Sequence, residues 1–159
     1  MHRDINLIVL HCSASPDGKS LWEGAARAGT LRTPAQVIDR WHAARGFHRG
    51  DAWRNLLNPR LEAIGYHWVV DLDGAIESGR HLDEAGAHCV GHNQRSIGIC
   101  TIGTGRFSLR QWASLKSLVG AMRLKFPAAS VCGHRDLSPD IDGDGLVEPW
   151  EWLKTCPGF

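Results

Sequence analysis

Two mostly apolar runs constrain the fold of this chain more than any other feature of its sequence. Residues 5–10 (INLIVL) and 96–102 (SIGICTI) are short, rich in β-branched side chains and lack a regular alternation of polar and apolar positions. Runs of this kind are typical of strands that are buried on both faces of a sheet. They predict a buried central sheet.

Helices and further strands are predicted between and after these runs. A Thr cap followed by proline starts a helix over residues 33–45, and a Ser cap starts a longer helix over 108–126. Residues 66–71 and 75–78 flank a Leu-Asp-Gly turn that predicts a hairpin, and a short strand follows at 130–132. Strands that interleave with helices indicate an α/β fold, with a mixed central sheet flanked by helices.

The length of 159 residues fits a single compact domain with one core. Within it, residues 47–64 have a mixed pattern that could hold one short helix, but Asn58-Pro59 interrupts it, and we interpret the segment as an inserted loop. A second loop, which is acidic, covers residues 138–151. We therefore expect residues 1–159 to form one domain that carries two loops.

The charge balance of the chain gives no reason to expect a nucleic-acid partner. Lys and Arg number 18 against 17 Asp and Glu, and no run of basic residues forms a stripe. No apolar stretch approaches the roughly 20 residues that cross a bilayer, and the first residues lack the features of a signal peptide. We expect a monomer that is made in the cytoplasm and does not insert into membranes.

Three residues are candidate ligands of a metal ion. His11 and His134 each follow a predicted strand, and Cys156 lies in a polar C-terminal segment, LKTCPGF. Two imidazoles and one thiolate suit zinc, and three protein ligands leave a fourth position open, as in catalytic zinc sites. Spacing alone does not single out this triad among nine His, because the chain has no local ligand pair such as H-E-x-x-H. The five Cys, an odd number at irregular spacing, do not suggest a disulfide framework.

Five motifs in a fixed order place the triad in a family context. They span nearly the whole chain and read HCSASP, GYHWVVDLDGAIESGR, GAHCVGHNQRSIGICTIG, GHRDLSP and KTCPGF. In this order they resemble the N-acetylmuramoyl-L-alanine amidases of the type 2 amidase family, and within it most closely the amidase-type phage lysozymes and the related peptidoglycan recognition proteins. The resemblance implies that His11, His134 and Cys156 bind zinc. It also implies hydrolysis of the bond between N-acetylmuramic acid and L-alanine in peptidoglycan, with zinc supplying a Lewis acid and hydroxide.

The resemblance assigns roles to four further residues. The active-site Tyr of the family falls on Tyr66, and a Lys characteristic of the phage branch falls on Lys154. Lys154 would stabilise the oxyanion, and Tyr66 would orient water or donate a hydrogen bond, because an unperturbed phenol titrates near ~10. The alternatives are a strand aromatic and a solvated cation. His88 and Asn93 match positions that line the peptidoglycan groove; a loop-fixing role for His88 and a turn-shaping role for Asn93 stay open.

The acidic loop has the spacing of a calcium-binding loop, D-x-D-x-D-G-x5-E. The residues that meet this pattern are Asp140, Asp142, Asp144, Gly145 and Glu151. The carbonyl of Leu146 would supply a further oxygen. Pro139 stands where the helix before such a loop is expected, so the alternative is an acidic turn that caps a helix over residues 150–154. Bound calcium would brace the segment that presents Lys154 and Cys156.

The predicted function has competing classes within the same family. A recognition module that binds peptidoglycan without cutting it would share the fold, but such relatives generally lose the Cys ligand, which is retained here as Cys156. An amidase that recycles anhydro-muropeptides typically has an acidic residue at that position, and a regulatory protein contact would leave no readable pattern. We therefore predict a phage or prophage endolysin that stays in the host cytoplasm until a holin releases it to the cell wall.

Overall fold

The structure, a computed structural model, describes residues 3–159 and contains one five-stranded sheet; Met1 and His2, which begin the predicted domain, lie outside the described residues. The strands are β1 Leu7–Cys12, β2 Trp68–Val70, β3 Ile76–Ser78, β4 Ser96–Thr101 and β5 Ser130–Gly133. Their order in the sheet is β3-β2-β4-β1-β5. β3 is antiparallel to β2, and the other neighbouring pairs are parallel. The predicted α/β fold with a mixed sheet is confirmed.

Helices pack on both faces of this sheet. The described residues form α-helices at α1 Pro34–Ala43, α2 Asp51–Leu56 and α3 Leu109–Lys125. Val69 and Val70 are adjacent in β2 and point to opposite faces, because side chains alternate along a strand. Val69 belongs to the core beneath Ile38 of α1, whereas Val70 belongs to the core beneath Leu118 of α3. No helix within residues 3–159 has the length and apolar content that crossing a bilayer requires.

The two predicted helix caps are present. The side chain of Thr33 accepts a hydrogen bond from the backbone N–H of Gln36, and the Gln36 side chain accepts one from the N–H of Thr33. Ser108 and Gln111 form the same reciprocal pair at the start of α3. Each pair satisfies two backbone donors that the first helical turn leaves free, which explains why the helices begin where the sequence predicts.

The structure corrects one local interpretation and one alternative. The segment 47–64 is not all loop, because α2 (Asp51–Leu56) forms within it and ends just before Asn58, whose φ of 57° is left-handed. The helix considered over residues 150–154 is also absent: residues 149–151 form a turn and the following residues are irregular. There the buried carboxylate of Glu151 accepts hydrogen bonds from the backbone N–H groups of Ile141 and Glu148, which holds the chain in a turn.

A buried ion cluster braces the segment that leads to Tyr66. Glu84, which is 2% exposed, forms ion pairs with Arg49 (2.8 Å) and Arg80 (3.2 Å). Arg49 also donates to the carbonyl of Leu61 (2.9 Å), and Arg80 donates to that of Ile64 (2.6 Å). The two guanidinium groups therefore bind the backbone of residues 61–64, just before Tyr66, to the rest of the fold.

Candidate active site

The three predicted metal ligands meet at the carboxyl-terminal edge of the sheet. His11 lies near the end of β1, and His134 directly follows β5. Since β1 and β5 are parallel neighbours, their carboxyl ends lie side by side, and the C-terminal segment adds Cys156 there. One possible ligand atom from each of the three residues lies within 4.8 Å of the others. The strand order thus brings together residues that are up to 145 positions apart.

Backbone contacts hold Cys156 in this position. Its Sγ accepts a hydrogen bond from the backbone N–H of Cys12 at 3.0 Å, and its carbonyl accepts one from the N–H of Arg135 at 2.8 Å. The Arg135 side chain donates to the carbonyl of Pro157 at 3.0 Å and lies over the ring of Trp152. The C-terminal segment is therefore attached to β1, which carries His11, and to the turn that follows His134 after β5.

The chemistry of the triad fits a zinc ion. A histidine must be neutral to bind a metal, and burial is the main cause that lowers the pKa of His11 well below its ordinary value. Burial also lowers the pKa of His134, and the charge of Lys154 lowers it further. Two neutral imidazoles and a sulfur ligand match the donor preference of zinc.

A groove of about 630 Å³ opens above the triad. The residues predicted to act on or contact the substrate, Tyr66, His88, Asn93 and Lys154, all line it together with the three ligands. Phe47 and Leu153 add apolar surface to its walls. This volume lies in the range of sites that bind small organic ligands.

Tyr66 is held next to the triad as a neutral phenol. Its ring packs against the ring of His11, with centroids 5.1 Å apart. Burial raises the pKa of Tyr66 well above its ordinary value, and the nearby thiols of Cys100, Cys156 and Cys12 raise it further. The phenol thus keeps its proton at neutral pH and can act as a hydrogen-bond donor.

Lys154 is an exposed cation at the rim of the groove, two residues before Cys156. After burial, its charge is the next cause that lowers the pKa of His134. A positive charge so close to the ligands can stabilise negative charge that develops on a substrate.

His88 and Asn93 occupy one loop on the other side of the groove. The Asn93 Oδ1 accepts hydrogen bonds from the backbone N–H groups of His88 (2.9 Å) and Cys89 (3.0 Å), so this side chain shapes the loop. The His88 ring contacts His11 through Nδ1, which lies 3.0 Å from the His11 Nε2. Burial is the main cause that lowers the pKa of His88 to about 3, so its ring is neutral.

His42, to which the sequence assigned no role, also lines the groove. Its Nδ1 accepts a hydrogen bond from the backbone N–H of Gly65 at 2.8 Å, and its ring lies against that of Tyr66. The only signal for this position is its spacing of four residues from Ile38, which places both side chains on the buried face of α1.

Three of the predicted calcium ligands lie together in the acidic loop, and Asp144 belongs to a neighbouring set. Ligand oxygens of Asp140, Asp142 and Glu151 lie within 4.8 Å of one another, and so do those of a second set: Asp142, Asp144 and Glu148. Backbone N–H groups hold these carboxylates in place; for example, Gly145 donates to Asp140 at 2.9 Å. Burial raises the pKa of Glu148, and the charges of Asp144 and Asp142 raise it further. Glu148 is an oxygen ligand candidate that the spacing pattern did not include.

This chain is similar in sequence to a known protein family and in fold to solved structures. Residues 1–159 match the family described as N-acetylmuramoyl-L-alanine amidase. The chain is 25% identical over 165 residues to an endolysin of Klebsiella phage KP32, an alignment that covers 99% of this chain and 83% of that one. It is 47% identical over 96 residues to an uncharacterised protein of Haemophilus influenzae, covering 55% of this chain and 83% of that one. Among solved structures, the amidase LysC from Clostridium intestinale URNW shares the fold, with a TM-score of 0.66, 24% identity and coverage of 99% of this chain and 78% of that one.

Proposed function

The chain belongs to the N-acetylmuramoyl-L-alanine amidase family, and on that premise we propose that it hydrolyses the amide between N-acetylmuramic acid and L-alanine in peptidoglycan with a zinc ion bound by His11, His134 and Cys156. The main support is that ligand atoms of these three residues lie within 4.8 Å of one another at one groove. A recognition module without activity is disfavoured, because Cys156 is present among the ligands. When bound, zinc would supply Lewis acidity to the scissile carbonyl and to the attacking water.

Two further side chains complete the proposed chemistry. The buried, protonated Tyr66 would donate a hydrogen bond to the reacting oxygen or orient the attacking water. Lys154 would place its positive charge beside the oxyanion that forms when the carbonyl carbon becomes tetrahedral. The apolar walls at Phe47 and Leu153 would limit the access of bulk water and so strengthen both interactions.

We further propose that residues 1–159 act as a phage or prophage endolysin. The support is similarity over 99% of this chain to a protein named endolysin. A holin-type route would release such a protein from the host cytoplasm to the cell wall, and peptidoglycan would be its partner there.

The identity of the cut bond tests the proposed activity. Purified peptidoglycan is digested with the zinc-loaded protein, and mass spectrometry of the soluble products should find intact stem peptides with a free L-alanine amino terminus. Removal of metal by a chelator should stop their release, and added zinc should restore it. Cut glycan strands with intact amides would contradict the assignment.

Replacement of Tyr66 by Phe should lower kcat/KM by about 100-fold, because it removes one donor from the reacting centre and little else. Zinc content measured by atomic spectroscopy should stay at the level of the unmodified protein, since Tyr66 is not a ligand. Activity within about threefold of the unmodified protein would show that the phenol has only a packing role.

We also propose that the acidic loop binds calcium through Asp140, Asp142, Asp144, Leu146 and Glu151. Carboxylates held within 4.8 Å of one another repel unless a cation lies between them, and the loop backbone fixes them in that arrangement. The buried Glu151 accepts a hydrogen bond from Ile141 and thereby connects the loop to the turn before Lys154. Bound calcium would therefore stabilise the segment that carries Lys154 and Cys156.

Calcium at about 100 times its Kd should stabilise the zinc-loaded protein by about 2.7 kcal/mol. For a chain of this size that corresponds to a rise in melting temperature of roughly 5 to 10 °C. The Asp142→Ala variant, which removes the ligand oxygens, should lose this rise. The Asp73→Ala variant should keep it, because Asp73 also accepts a backbone N–H two residues on but lies in the hairpin turn. A melting temperature that calcium leaves unchanged would remove the site.

A further inference from the structure

Both ring nitrogens of His88 face protein atoms rather than the groove. Nδ1 lies 3.0 Å from the Nε2 of His11, and Nε2 lies 3.4 Å from the Oγ of Ser96. Ser96 is fully buried, and its Oγ is also 2.8 Å from the backbone carbonyl of His92. His88 is thus the middle member of a chain of contacts that runs from a candidate metal ligand to the backbone.

The last member of this chain fixes the direction of every hydrogen bond in it. A carbonyl only accepts, so the Ser96 hydroxyl must donate its single proton to His92 and can only accept from His88. The His88 proton therefore lies on Nε2, which leaves Nδ1 as an acceptor. The proton of a neutral His11 then lies on Nε2, and His11 Nδ1 keeps a free lone pair.

That lone pair points to the candidate metal position. The Nδ1 of His11 is the ring nitrogen that faces the Cys156 sulfur, at 4.0 Å. The opposite tautomer of His11 would place a proton on Nδ1 and prevent this nitrogen from binding a metal. The hydrogen bonds through His88 and Ser96 therefore select the tautomer that a metal ligand needs.

We propose that His88 is a positioning residue for the zinc ligand His11, and that it fixes the orientation and the tautomer of that ring instead of binding substrate through its nitrogens. The inference rests on the proposed zinc site. It differs from the role that the family resemblance implies for His88, because the contacts to His11 and Ser96 occupy both nitrogens and leave only carbon atoms for the groove.

Two glycines form a close-fitting seat for this ring. A Cβ atom at Gly98, in the middle of β4, would lie 2.5 Å from the Cδ2 of His88. A Cβ at Gly86 would also overlap the His88 ring. Because both residues are glycines, the backbone approaches the ring closely on its Cδ2–Nε2 edge and leaves little space there. This close fit is what a positioning role requires.

Three variants of His88 test the proposal. Asn places its Oδ1 close to the position of the His Nδ1 and can still accept from His11, whereas the longer Gln reaches toward Ser96 and Leu has no acceptor. We expect His88→Asn to bind zinc within about threefold of the unmodified protein. His88→Gln and His88→Leu should bind zinc roughly 10- to 100-fold more weakly, as is usual when such a partner is lost. His48→Leu, at an exposed position, serves as the control.

Zinc affinity is measured by competition with a chromogenic chelator, and the thiolate absorption of the cobalt-substituted protein reports ligand geometry independently of activity. Circular dichroism of the metal-free variants checks their fold. Wild-type zinc affinity and cobalt spectra in His88→Gln and His88→Leu, with only KM raised, would overturn the proposal in favour of a substrate contact. Equal weakening in His88→Asn would also overturn it. An unmodified protein that binds no zinc would instead overturn the proposed function, and this inference with it.

Discussion

Replacement of Cys156 by Ala should remove both zinc binding and amidase activity. The substitution deletes the only sulfur ligand of the triad and leaves two imidazoles, His11 and His134, which hold zinc poorly. Loss of a Lewis acid costs several kcal/mol of transition-state stabilisation, which corresponds to a fall in rate of roughly 1,000-fold. We expect no released stem peptides above background in the mass-spectrometric assay, and zinc content near zero by atomic spectroscopy.

A second cysteine provides the matched control for this experiment. Cys132 lies on β5, two residues before His134, and is half-buried, yet it belongs to no candidate metal cluster among the described residues. The Cys132→Ala variant should keep its zinc and activity within about twofold of the unmodified protein. Retention of zinc and more than a tenth of the activity in Cys156→Ala would show that another residue holds the metal.

Among the variants considered, Glu84→Gln should cause the largest fall in the free energy of unfolding. The buried carboxylate accepts hydrogen bonds from Arg49 at 2.8 to 3.1 Å and pairs with Arg80. Gln carries no charge, so the largely buried guanidinium groups of Arg49 and Arg80 lose the carboxylate with which they pair. Breaking a buried ion pair from one side costs about 3 to 5 kcal/mol, so the free energy of unfolding in urea should fall by that amount.

An exposed ion pair of similar length gives the comparison. Glu23 and Arg40 are 2.7 Å apart, but their side chains are 44% and 55% exposed. Glu23→Gln should change the free energy of unfolding by less than about 1 kcal/mol, because solvent screens the pair. An equally mild effect of Glu84→Gln would show that the two guanidinium groups do not depend on the charge of Glu84 for stability. Activity should fall together with stability in Glu84→Gln, since Arg80, which pairs with this carboxylate, also donates to the backbone before Tyr66.

Local patterns of the sequence predicted the regular elements well. The runs at residues 5–10 and 96–102 contribute to β1 and β4, two of the three interior strands of the sheet. Thr33 and Ser108 cap the helices that they were expected to start. These features depend on neighbours a few residues away, so periodicity and capping chemistry describe them. The same local view failed at residues 150–154, where the buried Glu151 bonds to Ile141 and holds a turn.

The sequence by itself also determined which side chains are available to bind a metal, because its five ordered motifs resemble a family whose zinc ligands fall on His11, His134 and Cys156. Only the tertiary structure decided how these side chains are oriented. The order β3-β2-β4-β1-β5 joins strands that are far apart in sequence, and it places His88 between His11 and Ser96. It likewise joins Glu84 to Arg49, 35 residues away. Such contacts depend on which strands become neighbours, and no spacing within one segment of the chain contains that information.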